Sequence, residues 1–118
     1  MNDVDRRGRI ATLVLSGLLA VLYVGAGVPK VVGVESAVTG FQSMGYPAWF
    51  RVVIGVIEIG GGVALLIPRL AFYGAGALGV VMIGAAYTLV VHGEPGVAMP
   101  IVCLLLLATL AYLRRPTR

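Results

Sequence analysis

One carboxylate, Glu58, lies in the middle of a long apolar stretch, AWFRVVIGVIEIGGGVALLIP, which runs from Ala48 to Pro68. An acidic side chain at the centre of a membrane-spanning helix costs on the order of 2.5 to 3.5 kcal/mol on insertion scales. Such a residue normally faces a partner, a cavity or a transport pathway, where it holds a polar group or relays protons. The sequence therefore predicts a site around Glu58.

Other polar residues recur inside the apolar stretches at helical spacing. Ser16, Tyr23 and Lys30 are seven residues apart, and two turns of an α-helix take about 7.2 residues, so the three share one face. Arg51 and Glu58 are also seven apart. The sequence thus predicts two polar stripes on two helices that face each other.

These stripes predict a pocket that opens toward the outer surface, with Glu58 in its core. At about 1.5 Å per residue, Glu58 lies about 15 Å below the outer end of its helix, close to the depth of Tyr23. We expect Tyr23 or Tyr87 to form a hydrogen bond with this carboxylate, and Lys30 and Arg51 to screen its charge from above. The alternative is a buried polar network that only sets helix register, as interhelical hydrogen bonds do.

Two further residues have side chains that are capable of chemistry. His92 lies at a turn, where solvation is the simpler expectation and a place in the ligand site the other. Cys103 is the only cysteine, which excludes an internal disulfide or a CxxC pair. We expect its side chain to be inert and to pack within the apolar fourth span. One histidine and one cysteine cannot complete a zinc or haem site, so no metal is predicted and any electron carrier is borrowed.

Composition places the chain in a membrane. Hydrophobic residues make up 59% and charged residues 12% of the 118 residues, with a mean hydropathy of +1.00. Despite a net charge of +4, nucleic acid is not an expected partner, because the basic residues stand at the ends of apolar stretches. There they act as orientation signals that place both termini in the cytoplasm, in the inner (plasma) membrane. Seven of the nine basic residues fall on that side: Arg6, Arg7, Arg9, Arg69, Arg114, Arg115 and Arg118.

Apolar runs at 10–29, 48–68, 70–91 and 97–113 predict four membrane spans within one domain, 1–118. The short links around Pro68 and at 92–96 make neighbouring spans antiparallel. We therefore expect an all-α, integral membrane, antiparallel four-helix bundle.

The link between the first two spans, 31–47, is too long for a turn. It contains apolar residues at helical spacing, which predict a short amphipathic helix at the outer interface, either as a lid or resting on lipid. Those residues are Val34, Val38, Phe41 and Met44.

Glycines concentrate in the second and third spans, including the run from Gly60 to Gly62. Small residues let helix backbones approach closely. They favour either tight packing within the bundle or a contact with another copy of the chain, so a homo-oligomer is possible.

Several segments together resemble the DoxX-like family of small four-span membrane proteins. The first span ends in Gly-x-Gly-Val-Pro-Lys, at 25–30, and the outer segment closes with Met-Gly-Tyr-Pro, at 44–47. The segment 54–68 contains Ile-Gly-Val-Ile-Glu-Ile-Gly-Gly-Gly and ends in Leu-Leu-Ile-Pro. The resemblance implies a four-helix bundle and marks Lys30 and Glu58 as the family's recurring charged residues.

The resemblance also implies a range of functions, since similar proteins include a small subunit of a thiosulfate:quinone oxidoreductase, membrane partners of detoxifying enzymes and a receptor-assembly chaperone. Two hypotheses follow. In the first, the chain is a quinone-associated subunit of a redox system, and a further membrane or peripheral subunit is its partner. In the second, it is a non-enzymatic binding or assembly module for a lipid or a partner's helix.

Overall fold

The computed structural model describes residues 3–115, and these residues form five α-helices and no strand. The all-α bundle predicted from the sequence is confirmed, including a short helix between the first two long ones. Arg118, one of the orientation charges, lies outside the described residues. The helices are α1 (Asp3–Val32), α2 (Glu35–Ser43), α3 (Ala48–Ala64), α4 (Ala71–Val91) and α5 (Ala98–Leu113).

Length and composition identify fewer membrane crossings than the four expected. Two helical segments are long and apolar enough, Arg6–Val32 of α1 and the whole of α4. α2 and α3 form a third candidate if the pair, bent by 117°, is one broken span. α5 is apolar but has 16 residues, which is about 24 Å of helix against a hydrocarbon core of about 30 Å.

Two helix ends differ from the sequence-based bounds. α1 does not end at Pro29 but continues to Val32, because a proline in the last turn removes only one backbone hydrogen bond. It ends at Gly33, whose φ of +87° suits glycine. α3 ends at Ala64 instead of Pro68, because Pro68 has no N–H to donate to the carbonyl oxygen of Ala64. The chain then turns through hydrogen bonds between residues three apart.

The four long helices form a ring in which each packs against its neighbours. α1 packs extensively on α3, α3 packs on α4, and α4 packs on α5, whereas α5 meets α1 through few contacts. The seam between α1 and α5 is therefore the weakest side of the bundle. The buried apolar cluster inside the ring consists of Leu19, Tyr23, Leu65, Ala75, Leu78, Met82, Cys103, Leu107 and Leu110.

Glycines bring α3 against both of its neighbours. A Cβ atom on Gly27 of α1 would lie 2.6 Å from the carbonyl oxygen of Gly55, and one on Gly55 would lie 2.9 Å from the carbonyl oxygen of Gly27. On the other side, a Cβ atom on Gly61 would meet Leu78 at 2.8 Å. Since lipid tails are as apolar as the helices, this close van der Waals contact is a main source of stability in a membrane bundle.

We predict that Gly27→Ala lowers the stability of the bundle and that Gly25→Ala does not. The added methyl group at Gly27 forces α1 away from α3 and lowers the free energy of unfolding by about 1 to 3 kcal/mol. Gly25 is exposed with no atom within 4 Å of a Cβ, so its replacement leaves stability unchanged or raises it by up to about 1 kcal/mol. Thermal unfolding in detergent measures both, and equal effects would contradict the close approach of α1 and α3.

Candidate functional site

An ion pair joins α1 to α3. The Nζ atom of Lys30 lies 2.5 Å from Oε1 of Glu58 and also donates to the carbonyl oxygen of Ala26 at 3.4 Å. The side chain of Glu58 is only 3% exposed, whereas that of Lys30 is 23% exposed. The glycine contact beside the pair makes this geometry possible, because a Cβ atom on Gly55 would lie 2.9 Å from Cβ of Lys30.

The hydrogen-bond partner of Glu58 is thus Lys30 and not, as expected, Tyr23 or Tyr87. The reason lies in the end of α1. Since α1 continues through Pro29, Lys30 stays within the helix, on the face toward α3, and its flexible apolar stem reaches down to the carboxylate. A buried carboxylate without a compensating partner is strongly unfavourable, so the pair is what permits a charge at this depth.

Arg51 has a different task from the one the sequence predicts. Its Nη1 atom donates a hydrogen bond to the backbone carbonyl oxygen of Lys30. The N–H groups of Gly33 and Val34 both bond to the carbonyl oxygen of Pro29, at 2.9 and 3.1 Å. Arg51 therefore caps a carbonyl that this turn leaves over, and its positive charge suits the negative end of the α1 dipole.

A cavity of about 320 Å³ lies between α1, α4 and α5, with Glu58 of α3 in its wall. The hydroxyl of Tyr23, a residue that is 2% exposed, is buried in this wall beside Cys103, and no nitrogen or oxygen atom of the described residues is its hydrogen-bond partner. A buried hydroxyl without a partner is costly, so this donor awaits an acceptor. The remaining lining is apolar: Leu22, Ala26, Met82, Ala85, Leu89, Gly96, Met99, Pro100 and Cys103.

The structure does not bring Tyr87 and His92 to the cavity. Tyr87 is 69% exposed, and His92 is exposed with its Nδ1 atom 2.9 Å from the carbonyl oxygen of Thr88. The residues predicted for the site therefore fall into two groups. Tyr23, Lys30 and Glu58 lie together, Arg51 joins them through the backbone of Lys30, and the other two lie elsewhere.

The sequence does not predict that α5 lines the cavity. Cys103 and Pro100 line the cavity, whereas the sequence predicts only inert packing for the cysteine. The buried residues of α5 recur at helical spacing, and this pattern was available as a signal for the face that points inward. They are Pro100, Cys103, Leu107 and Leu110.

A corner of aromatic side chains joins α2 to the bundle. The rings of Tyr46 and Phe50 lie 4.6 Å apart, and Phe41 of α2 packs beside both. The hydroxyl of Tyr46 is 2.7 Å from Oγ1 of Thr88 in α4. These contacts hold the corner between α2 and α3 against α4, whereas α2 itself has no buried residue and does not line the cavity.

Within residues 3–115, no group of three or more His, Cys, Asp and Glu side chains is placed to hold a metal ion. The polar groups of the cavity are one hydroxyl donor and one carboxylate whose Oε1 atom contacts Lys30. Chemically, the arrangement suits an apolar molecule with a polar end that both accepts and donates hydrogen bonds.

The fold and this cavity define a helical membrane protein with a partly buried ion pair beside an apolar cavity. The chain belongs to the DoxX-like family, whose model matches residues 14–111. It is similar to the uncharacterized protein YdgD of Bacillus subtilis (strain 168), with 36% identity over 94 residues that cover 74% of this chain and 82% of that protein. No solved structure matches the chain significantly.

We predict strong energetic coupling between Lys30 and Glu58. Lys30→Met leaves a buried carboxylate without its partner and lowers the free energy of unfolding by about 3 kcal/mol. The double variant Lys30→Met/Glu58→Leu recovers most of that loss, because an apolar pair of similar volume replaces the ion pair. Unfolding in detergent measures the stability of the two single variants, Lys30→Met and Glu58→Leu, and of the double variant. Glu94→Gln in the exposed link between α4 and α5 is the control. Additive effects of the two substitutions would show that the ion pair is absent in the membrane protein.

Proposed function

We propose that this protein is a membrane subunit of a redox-linked system and that its cavity binds a small hydrophobic, quinone-like ligand. The observation that carries the proposal is the buried, unpartnered hydroxyl of Tyr23 in an apolar cavity next to Glu58. The volume of about 320 Å³ is at the small end of ligand pockets in proteins. A ring-sized head group suits such a space.

The residues of the cavity have complementary tasks. Tyr23 would donate a hydrogen bond to a carbonyl oxygen of the oxidised quinone, and the carboxylate of Glu58 would accept a hydrogen bond or a proton from a hydroxyl of the reduced quinol. Lys30 offsets negative charge at this end of the cavity, where a low dielectric strengthens its effect. A quinone, when bound, supplies reversible two-electron and two-proton chemistry. A partner subunit provides the electrons, since the chain carries no ligand set for a redox metal in its sequence.

We further propose four crossings of the inner (plasma) membrane, with both termini in the cytoplasm. In this arrangement the two shorter helices, α3 and α5, cross the membrane together with the turns at their ends. The basic residues of the α1 start, of the link between α3 and α4 and of the α5 end support this orientation, because cytoplasmic segments are rich in Lys and Arg. The hydrogen bond from Nη2 of Arg114 to Oγ of Ser16, at 3.2 Å, joins the carboxyl end of α5 to the amino-terminal half of α1, which supports both termini on one side.

A second candidate function is that of an assembly module, supported by glycines on the outside of the bundle. Gly60, Gly76 and Gly84 are exposed, and a Cβ atom on any of them would meet nothing within 4 Å. Such surfaces suit the close approach of a partner's helix or of a second copy of the chain. This module needs no ligand in the cavity.

We predict that a quinone-like molecule copurifies with the protein from its native membrane in mild detergent. Solvent extraction and mass spectrometry measure its amount, near one per chain in the unmodified protein. Tyr23→Phe removes only the unpartnered hydroxyl, so the fold is kept while the ligand decreases up to about tenfold, the equivalent of about 1.4 kcal/mol for one hydrogen bond. Glu58→Gln lowers it as well.

Tyr87→Phe is the matched control, because that side chain is 69% exposed and outside the cavity, and it leaves the ligand content unchanged. If all samples contain only bulk lipid, the quinone proposal fails. Crosslinking from the exposed glycine surface then tests the assembly module.

A further inference from the structure

We infer that the ligand enters the cavity sideways from the bilayer, through the seam between α1 and α5, and that its apolar tail stays in this seam. This inference rests on the proposed function, because it concerns the same cavity. It adds the route of entry and the chemical class of the ligand: an amphiphile whose head group accepts a hydrogen bond and whose tail is long enough to reach lipid.

The seam is closed at one end and open at the other. At the end that holds the carboxyl end of α5, Arg114 donates to Ser16, which lies seven residues, or about 10.5 Å, before Tyr23 along α1. Tyr23 of α1 and Cys103 of α5 lie beside each other at the back of the cavity, and toward the other end the cavity lies between the two helices, with Ala26 on one side and Met99 on the other.

Exposure increases from the back of the cavity to its mouth. Tyr23 is 2% and Cys103 is 5% exposed, whereas Leu22 is 37% and Met99 is 61% exposed, and all four line the same cavity. Leu22 and Met99 therefore flank the mouth, on the outer surface of the ring. In a membrane this surface contacts lipid tails, so an apolar molecule reaches the mouth without passing through water.

The other sides of the cavity are held together more firmly. The glycine contact between Gly27 and Gly55 and the ion pair of Lys30 with Glu58 join α1 to α3. The hydrogen bond between Tyr46 and Thr88 joins the α2–α3 corner to α4. The seam between α1 and α5 is thus the side that opens with the least loss of contacts.

Cys103, the only cysteine of the chain, reports on the cavity. The protein is reconstituted in phosphatidylcholine vesicles, and the rate of Cys103 modification by N-ethylmaleimide, which enters bilayers, is measured by mass spectrometry with and without decylubiquinone as the probe. We expect decylubiquinone to slow the modification at least about fivefold, an occupancy of about 80%. A charged sulfonate thiol reagent, which does not enter bilayers, reacts slowly throughout.

Leu22→Trp fills the mouth and slows modification even without the probe, whereas Leu22→Ala widens the mouth and accelerates it. Val21→Trp is the matched control, since Val21 is 76% exposed, neighbours Leu22 and is outside the cavity lining. It keeps the unmodified rate and shows that an added tryptophan is tolerated on this helix. Cys103→Ser accounts for any background reaction.

The outcomes separate the two proposals. If Leu22→Trp reacts at the unmodified rate while decylubiquinone still protects, or if the charged reagent reacts as fast as N-ethylmaleimide, sideways entry is overturned and the cavity remains a quinone site. If Leu22→Trp slows the reaction but decylubiquinone gives no protection, the lateral mouth is supported and the quinone class is overturned.

Discussion

The ion pair between Lys30 and Glu58 is the interaction on which the rest of this structure depends. In the interior of a membrane protein a lone carboxylate is expensive, and its cost falls when a cation comes within direct contact. That contact requires the last turn of α1 to lie directly against the middle of α3. Gly27 and Gly55 meet this requirement, because any side chain larger than hydrogen would hold the two backbones apart.

The same constraint shapes the asymmetry of the ring. α3 has glycines on two faces and is the helix against which both α1 and α4 pack closely. α5 meets α1 through few contacts, and Arg114 at its carboxyl end donates a hydrogen bond to Ser16. The space that remains between α1 and α5 is the cavity. The cavity and the tight packing of α3 therefore both follow from the positions of the small residues.

The polar groups around the cavity differ in whether they have hydrogen-bond or ionic partners within the protein. Glu58 already has its counterion, and Arg51 is committed to a backbone carbonyl at the end of α1. The hydroxyl of Tyr23 is left over. Buried polar groups are nearly always hydrogen-bonded, so the proposed ligand rests on this hydroxyl more directly than on the charged pair.

Much of this protein is determined locally and is therefore readable in its sequence. Apolar runs interrupted by Pro and Gly predict membrane helices, and a spacing of seven places Tyr23 and Lys30 on the face that meets Glu58, because helical periodicity depends only on the chain itself. Which side chains actually touch depends on the distance and rotation between helices. That is why the partner of Glu58, the capping by Arg51 and the exposure of Tyr87 were decided only by the tertiary structure.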